Sequence, residues 1–458
     1  MPRDIRRLRS IYARWISLGH WRSQVVFWIG GLLVGGVAVF LAKAADEAQS
    51  LFLTSVTKVW WLPLIVTPLG FAVSAFVGRQ WFPGSEGSGI PQIIAGLDLV
   101  HRKPEALDRL VSLRIVFGKA ILLLLGLATG AAIGREGPTV QIGAALMLAT
   151  GRVGGIMTSE SALLLAGGAA GVAAAFNTPL AGIMFAIEEL GKSFEQRTAG
   201  TVVLAITLAG IASLALLGDY SYFGHSTAVL QPLPDIGAVL VCGIGGGLLG
   251  GGYSRILIFG IRRLGTLFNG FIGRHRVAFA AVCGLLLALL GVYGGSNVFG
   301  TGYGEAKALL TGSHELSITF GLYKWCATLL STICGIPGGI FAPSLATGAG
   351  IGADLHWAIP VAPLATMALL GMVGYFSGVV QSPLTALVIV MEMTNSHHLI
   401  IPLIATSMLA FSASRLICPQ SLYHSLARGF IRQTILKRSA TLASDVPPDG
   451  DPTAGEAA

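Results

Sequence analysis

Gly134-Arg135-Glu136-Gly137-Pro138 and Gly339-Ile340-Phe341-Ala342-Pro343 share a G-x-x-x-P frame 205 residues apart (339 − 134). A second pair keeps nearly the same separation. Pro179-Leu180 is followed nine residues on by Glu188, and Pro383-Leu384 nine residues on by Glu392, an offset of 204 (383 − 179), with Gly167 and Gly371 in register upstream. Two such pairs are what a duplicated chain with one small insertion leaves behind. The expected organisation is a basic N-terminal helix over 1–22, a first repeat over 23–218, a polar linker over 219–235 and a second repeat over 236–436. The polar, Pro- and Ala-rich stretch 437–458 reads as a disordered cytoplasmic tail.

The setting of these motifs is apolar. With 53% hydrophobic and 11% charged residues and a mean hydropathy of +0.73, the chain has too few polar side chains to cover a water-soluble globule of this length. Long uncharged runs at 60–77, 162–187, 201–217, 236–253, 277–292, 357–391 and 399–414 approach or exceed the roughly 20 residues that cross a hydrocarbon core. Gly and Pro interrupt many of them, and 357–391 is long enough for two segments. This predicts an all-α integral membrane fold of more than ten tilted, unequal and partly broken helices.

Arg3, Arg6, Arg7, Arg9, Arg14 and Arg22 precede the apolar run 25–41, and Ala42-Lys43-Ala44 imitates a signal cleavage site. The basic lead is long for a signal peptide, so the run reads as a retained helix. The positive-inside rule then puts the N-terminus in the cytoplasm, and Arg428, Arg432, Lys437 and Arg438 put the C-terminus there too. The net charge of +8 flanks membrane segments without forming an aromatic-interleaved patch, which favours anionic lipid headgroups over nucleic acid as the partner. The five cysteines (Cys242, Cys283, Cys326, Cys334, Cys418) lack metal-ligand spacing and read as inert thiols, so no metal or cofactor is expected.

An anion entering lipid must have its hydration replaced, and a full positive charge would hold it too tightly for release. Helix N-termini supply unsatisfied N–H groups and the positive end of the helix dipole. Gly134 to Pro138 and Gly339 to Pro343 look like such starts, since Gly permits close backbone approach and Pro fits the first turn. Gly87-Ser88-Gly89-Ile90-Pro91 is a third, with the Ser88 hydroxyl as a neutral donor. Glu136 stands apart. Ionised, a carboxylate beside an anion-attracting helix start competes for the ion's place, and protonated it withdraws, which couples anions to protons. Glu188 and Glu189 end an apolar run before Lys192 and Arg197; Glu188 is expected to form a helix-end ion pair with Lys192, and Glu392 to be structural.

An intramembrane protease would need facing Ser and His or paired Asp residues within the membrane, and the sequence offers neither. His397 and His398 are adjacent and so point to different sides of a helix. A purely structural or lipid-scrambling role would leave three anion-suited helix starts without a purpose.

The motifs GSGIP, GREGP and GIFAP, in that order, make the chain resemble the CLC family of chloride channels and proton-coupled chloride transporters, and the resemblance runs from the basic N-terminal helix to Tyr423. It implies two inverted repeats and a homodimer with one anion pathway per subunit. Ser88 and Tyr423 would hold the central anion through hydroxyls, and Ile340 and Phe341 through backbone amides. Glu136 would be the external gate and proton acceptor, and Glu189 the internal proton-transfer acid, which favours chloride/proton exchange in a cell's inner membrane over a passive channel. Nitrate remains compatible with Ser88, whereas an intact GSGIP argues against the fluoride-selective branch. Some bacterial members carry acids after GSGIP where Gln92 and Ile94 stand, a departure that weakens coupling if such acids assist proton uptake. The tail is too short for the paired nucleotide-binding modules of many eukaryotic members, so no nucleotide partner is expected.

Overall fold

The computed structural model describes residues 18–155, 160–191, 199–218, 222–224, 226, 228, 236–263, 270–313 and 316–444. Arg3 to Arg14, Lys192, Arg197, most of the 219–235 linker and the tail beyond 444 lie outside the described residues. Helices dominate. The first half is α1 (Leu18–Lys58), α2 (Pro63–Trp81), α3 (Ile90–Arg102), α4 (Leu113–Ala128), α5 (Glu136–Val153), α6 (Glu160–Phe176), α7 (Pro179–Glu188) and α8 (Ala199–Leu217). The second half runs through the same series: α9 (Ile236–Arg263), α10 (Arg276–Gly294), α11 (Tyr303–Leu310), α12 (Phe320–Ile333), α13 (Phe341–Ala358), α14 (Leu364–Val380), α15 (Pro383–Thr394) and α16 (Ile400–Ile417). The last helix, α17 (Leu422–Ser444), follows both halves and continues past Lys437, where sequence composition placed the start of a disordered tail. At the other end α1 passes unbroken through the boundary expected at residue 22.

Proline sets several helix starts, with Pro63, Pro91, Pro179 and Pro383 each in the first turn, where the missing N–H has no helical partner to lose. The apolar run 162–187 breaks into α6 and α7 at Asn177, and the run 357–391 holds α14 and α15, broken at Gln381. Both break residues are left-handed, with φ of 57° and 60°, and they lie 204 residues apart (381 − 177). Helices α6 and α14 are buried along their length. Each meets its predecessor through glycine: a Cβ on Gly371 would fall 2.5 Å from the Gly348 carbonyl, and Gly167 meets Gly143 in the same way. Between helices in lipid, where no hydrophobic force favours association, such backbone proximity supplies the packing energy. Large apolar side chains instead face outward on α1, α2, α8, α9, α10 and α16. Among the described residues six helical segments are long and apolar enough to cross a membrane, whereas α6, α7, α14 and α15 are apolar but shorter.

The two halves are related by a two-fold axis, because equivalent residues trade bonds. The Gly134 N–H donates to the Gly339 carbonyl and the Gly339 N–H to the Gly134 carbonyl, both at 2.7 Å, in an antiparallel bridge. A second exchange joins α7 and α15. Glu188, at the end of α7, accepts the N–H groups of Leu384 (3.1 Å) and Thr385 (2.6 Å) at the start of α15. Glu392, near the end of α15, accepts those of Leu180 (3.3 Å) and Ala181 (2.8 Å) at the start of α7. Each carboxylate thus caps the other helix's positive end. Glu188 therefore caps a helix in the other repeat, while Lys192, its partner in the ion pair expected from sequence, lies outside the described residues; Glu392 is structural as expected.

Glu392→Ala leaves two N–H groups without acceptors and is expected to destabilise the fold by about 1–3 kcal/mol, read as a lower thermal unfolding midpoint in detergent. Glu392→Gln, which keeps one acceptor oxygen, should recover part of the loss; equal midpoints for wild type and Glu392→Ala would refute the capping role.

Candidate anion pathway and proton-transfer residues

The three helix-start motifs interlock. The Gly338 N–H donates to the Gly87 carbonyl at 3.1 Å, tying GSGIP to GIFAP, while the Gly134 to Gly339 bridge ties GIFAP to GREGP. Contact is close enough that a Cβ on Gly137 would lie 2.8 Å from the Ser88 carbonyl. The starts of α3, α5 and α13 consequently converge on one buried region. Gly134, Arg135, Glu136, Gly137, Pro138, Ile340, Phe341 and Pro343 are all buried there. Among the described residues no hydrogen bond takes up the amides of Ile340 and Phe341.

Ser88 and Tyr423 meet in this region. Ser88 is buried, and its side chain lies against the Tyr423 hydroxyl. That hydroxyl is itself buried, with the Ser88 side chain beside it but no well-formed hydrogen bond among the described residues. A buried orphan hydroxyl costs about 1–3 kcal/mol unless something occupies the space before it. The Phe341 ring fixes the arrangement by stacking on Phe176 (5.9 Å) and packing edge-on to Phe376 (5.0 Å) and near Tyr423 (6.0 Å). Glu136 and Glu189 are both electrostatic neighbours of Tyr423.

Glu136 begins α5 fully buried. One carboxylate oxygen accepts the Tyr303 hydroxyl at 2.6 Å, and the other lies 3.4 Å from the Ala342 N–H in the first turn of α13. The carboxylate therefore sits on the N-terminus of the helix in the opposite repeat. Arg135, also buried, turns away from it to Asp46 (2.5 Å) and the Ala42 carbonyl (2.7 Å), with its guanidinium over the rings of Tyr222 (5.2 Å) and Tyr303 (5.6 Å).

Glu189 follows α7 and is buried as well. Ser382 donates a short hydrogen bond to one of its oxygens, and His424 Nδ1 lies 3.5 Å from the other. The His424 side chain is partly exposed. Gln92 is fully buried, and its amide donates to the Gly84 (3.3 Å) and Glu86 (2.5 Å) carbonyls, so it fixes the loop leading into GSGIP. Ile94 packs against the core.

Sequence reading missed Tyr303, Ser382 and His424, together with a pair of buried lysines. Lys119 on α4 donates to the Gly87 carbonyl at 2.9 Å. Lys324 on α12 donates to the carbonyls of Val298, Phe299 and Gly300 at 2.9, 3.0 and 2.9 Å. Both are fully buried, and they lie 205 residues apart (324 − 119), so the offset that links the glycine motifs would also have found them. Each lysine holds loop carbonyl oxygen, one for Lys119 and three for Lys324, and a carbonyl so held cannot turn toward an anion.

Comparison with known proteins agrees with this architecture. The family model described as Voltage gated chloride channel matches residues 69–415. A protein of Yersinia pestis named H(+)/Cl(-) exchange transporter ClcA is 29% identical over 455 residues, covering 93% of this chain and 91% of the relative. A Salmonella arizonae protein of the same name is 29% identical over 435 residues, covering 90% and 89%. Among solved structures, a slow cyanobacterial Cl-/H+ antiporter superposes with a TM-score of 0.78 at 23% identity, over 90% of this chain and 98% of the other. A CLC-type fluoride/proton antiporter gives 0.74 at 22%, over 89% and 98%. With the family model matched over most of its length and the fold shared almost end to end, this multi-pass membrane chain belongs to the voltage gated chloride channel (CLC) family.

Proposed function

We propose that this protein exchanges chloride for protons across a membrane, with Glu136 as the moving part. The observation that carries the reading is the Glu136 carboxylate lying at the Ala342 N–H, the helix terminus an anion would use. Ionised, it fills the ion's place. Protonation removes the charge that the α13 terminus attracts, the side chain withdraws, and chloride takes the vacated donors.

Chloride is then held by the Ser88 and Tyr423 hydroxyls and by the amides of Ile340 and Phe341, all neutral groups that let it leave again. Glu189 hands protons to Glu136 from the opposite side; Ser382 orients its carboxylate, and the partly exposed His424 connects it toward water. The Ser88 hydroxyl in an intact GSGIP loop favours chloride as the cargo. Gln92 holds the loop by two carbonyls and leaves proton transfer to the Glu189 route. No cofactor, metal or nucleotide enters the cycle. The working unit is a homodimer in a cell's inner membrane, both termini cytoplasmic, with Arg428 and Arg432 near anionic headgroups. Glu136 then faces outward and Glu189 inward, and the chain acts as a transporter with no catalytic chemistry.

The primary test is chloride-driven proton uptake by the purified protein in liposomes, with a protonophore control. Uphill proton movement supports exchange; chloride movement with no proton flux leaves a passive pathway of the same fold. Glu136→Gln should abolish proton coupling and keep anion flux. Glu189→Gln should lower proton flux with anion flux retained, and protons unaffected in both variants would sink the mechanism.

Tyr303→Phe deletes the 2.6 Å hydrogen bond to Glu136 without changing ring volume. A hydrogen bond to a charged group is worth about 1.5–3 kcal/mol, so the gate should open more often and chloride flux should rise about tenfold or more. Flux equal to wild type would show that the bond does not hold the gate closed.

A further inference from the structure

The loop that carries Tyr303 is the second repeat's copy of the Ser88 loop. Gly87-Ser88-Gly89 precedes α3, and Gly300-Thr301-Gly302 precedes α11. Both outer glycines are left-handed in each, with φ of 63° and 101° in the first loop and 65° and 82° in the second. A buried lysine binds the first glycine's carbonyl in each, Lys119 to Gly87 and Lys324 to Gly300. The middle residue carries a hydroxyl both times. Its use differs: the Ser88 side chain lies against Tyr423, whereas the Thr301 N–H (2.9 Å) and hydroxyl (3.1 Å) both donate to the Gln49 side-chain oxygen.

Gln49 belongs to a row on α1. The Ala42 carbonyl and Asp46 hold Arg135, next to Glu136 in sequence. Gln49 holds Thr301, two residues before Tyr303, and Phe52 packs edge-on against Phe299 at 5.1 Å. Spacings of four, three and three residues place all four on one helical face. That face grips the Glu136 loop and the Tyr303 loop at once, and Arg135 over the Tyr303 ring joins the two loops directly.

We propose that Gln49 and Thr301 are positioning residues of the gate: α1 serves as a bracket that, through them, sets where the Tyr303 hydroxyl stands and so how firmly Glu136 is held at α13. The inference rests on reading Glu136 as the gate. Gln49 touches neither the ion nor Glu136 and acts only through the Thr301 loop.

Liposome flux measurements on Gln49→Ala, Thr301→Val and Tyr303→Phe, alone and combined, test this. Gln49→Ala should raise proton-uncoupled chloride flux about threefold to tenfold, the ratio that loss of a neutral hydrogen bond gives. Thr301→Val keeps its N–H bond to Gln49 and should show a smaller rise. The Gln49→Ala/Tyr303→Phe double variant should match Tyr303→Phe alone, because both lesions act through one hydroxyl. A structural role would lower thermal stability and yield without producing this non-additivity. Unchanged flux in folded Gln49→Ala and Thr301→Val, or effects that add to those of Tyr303→Phe, would overturn the proposal. A wild type that carries chloride without protons would fail the exchange reading, yet the bracket still predicts the rise in flux and its non-additivity.

Discussion

Two hydrogen bonds of 2.7 Å between Gly134 and Gly339 are the contact on which the rest of the ion path depends. They bring two helix starts from opposite repeats face to face in a buried region, where an unpaired backbone dipole is costly and correspondingly useful. The GSGIP loop joins them through the Gly338 to Gly87 bond, so three positive helix ends share one small volume. Glycine at 134, 137 and 339 follows from that crowding: side chains there would run into the neighbouring backbone or the Glu136 carboxylate. An anion site assembled from partial charges needs this convergence, because a single helix end supplies about half a unit of charge.

The full charges near the path are kept from competing with it. Arg135 is bound to Asp46 and a carbonyl, and its guanidinium rests on two aromatic faces. Lys324 is wrapped by three loop carbonyls and Lys119 is held by one. Each of these groups holds oxygen lone pairs away from the proposed ion route. For the proposed anion path, such an arrangement leaves neutral donors to meet a monovalent anion without gripping it, as turnover demands.

Much of this was legible in the sequence, and what was missed has a common cause. The repeat frame, the interrupted helices and Glu136 announce themselves locally, since Gly, Pro and an acid within five residues define a helix start wherever the rest of the chain goes. Tyr303, Ser382 and His424 carry no local mark; each matters because folding brings it to a carboxylate some 167, 193 or 235 residues away (303 − 136, 382 − 189, 424 − 189). The capping role of Glu188 was hidden for the same reason. A local reading sees only the neighbouring basic residues, while the fold offers it two N–H groups at the start of α15, 196 and 197 residues away.

The scaffold is symmetric, and the chemistry placed on it is not. Glu136 corresponds by offset to Phe341 (136 + 205), and Glu189 to Met393 (189 + 204), so both acids proposed for proton transfer belong to the first repeat and face apolar counterparts in the second. Tyr423 lies on α17, which has no repeat counterpart among the described residues. The Ser88 hydroxyl faces Tyr423, and its counterpart Thr301 is tied to Gln49. A perfectly two-fold path would treat its two ends alike and give protons no reason to follow a different course from the anion. On the proposed mechanism, duplication supplies the crossed helix ends that stabilise a dehydrated ion, and divergence of a few side chains supplies the acids and the latch that make its passage conditional on a proton.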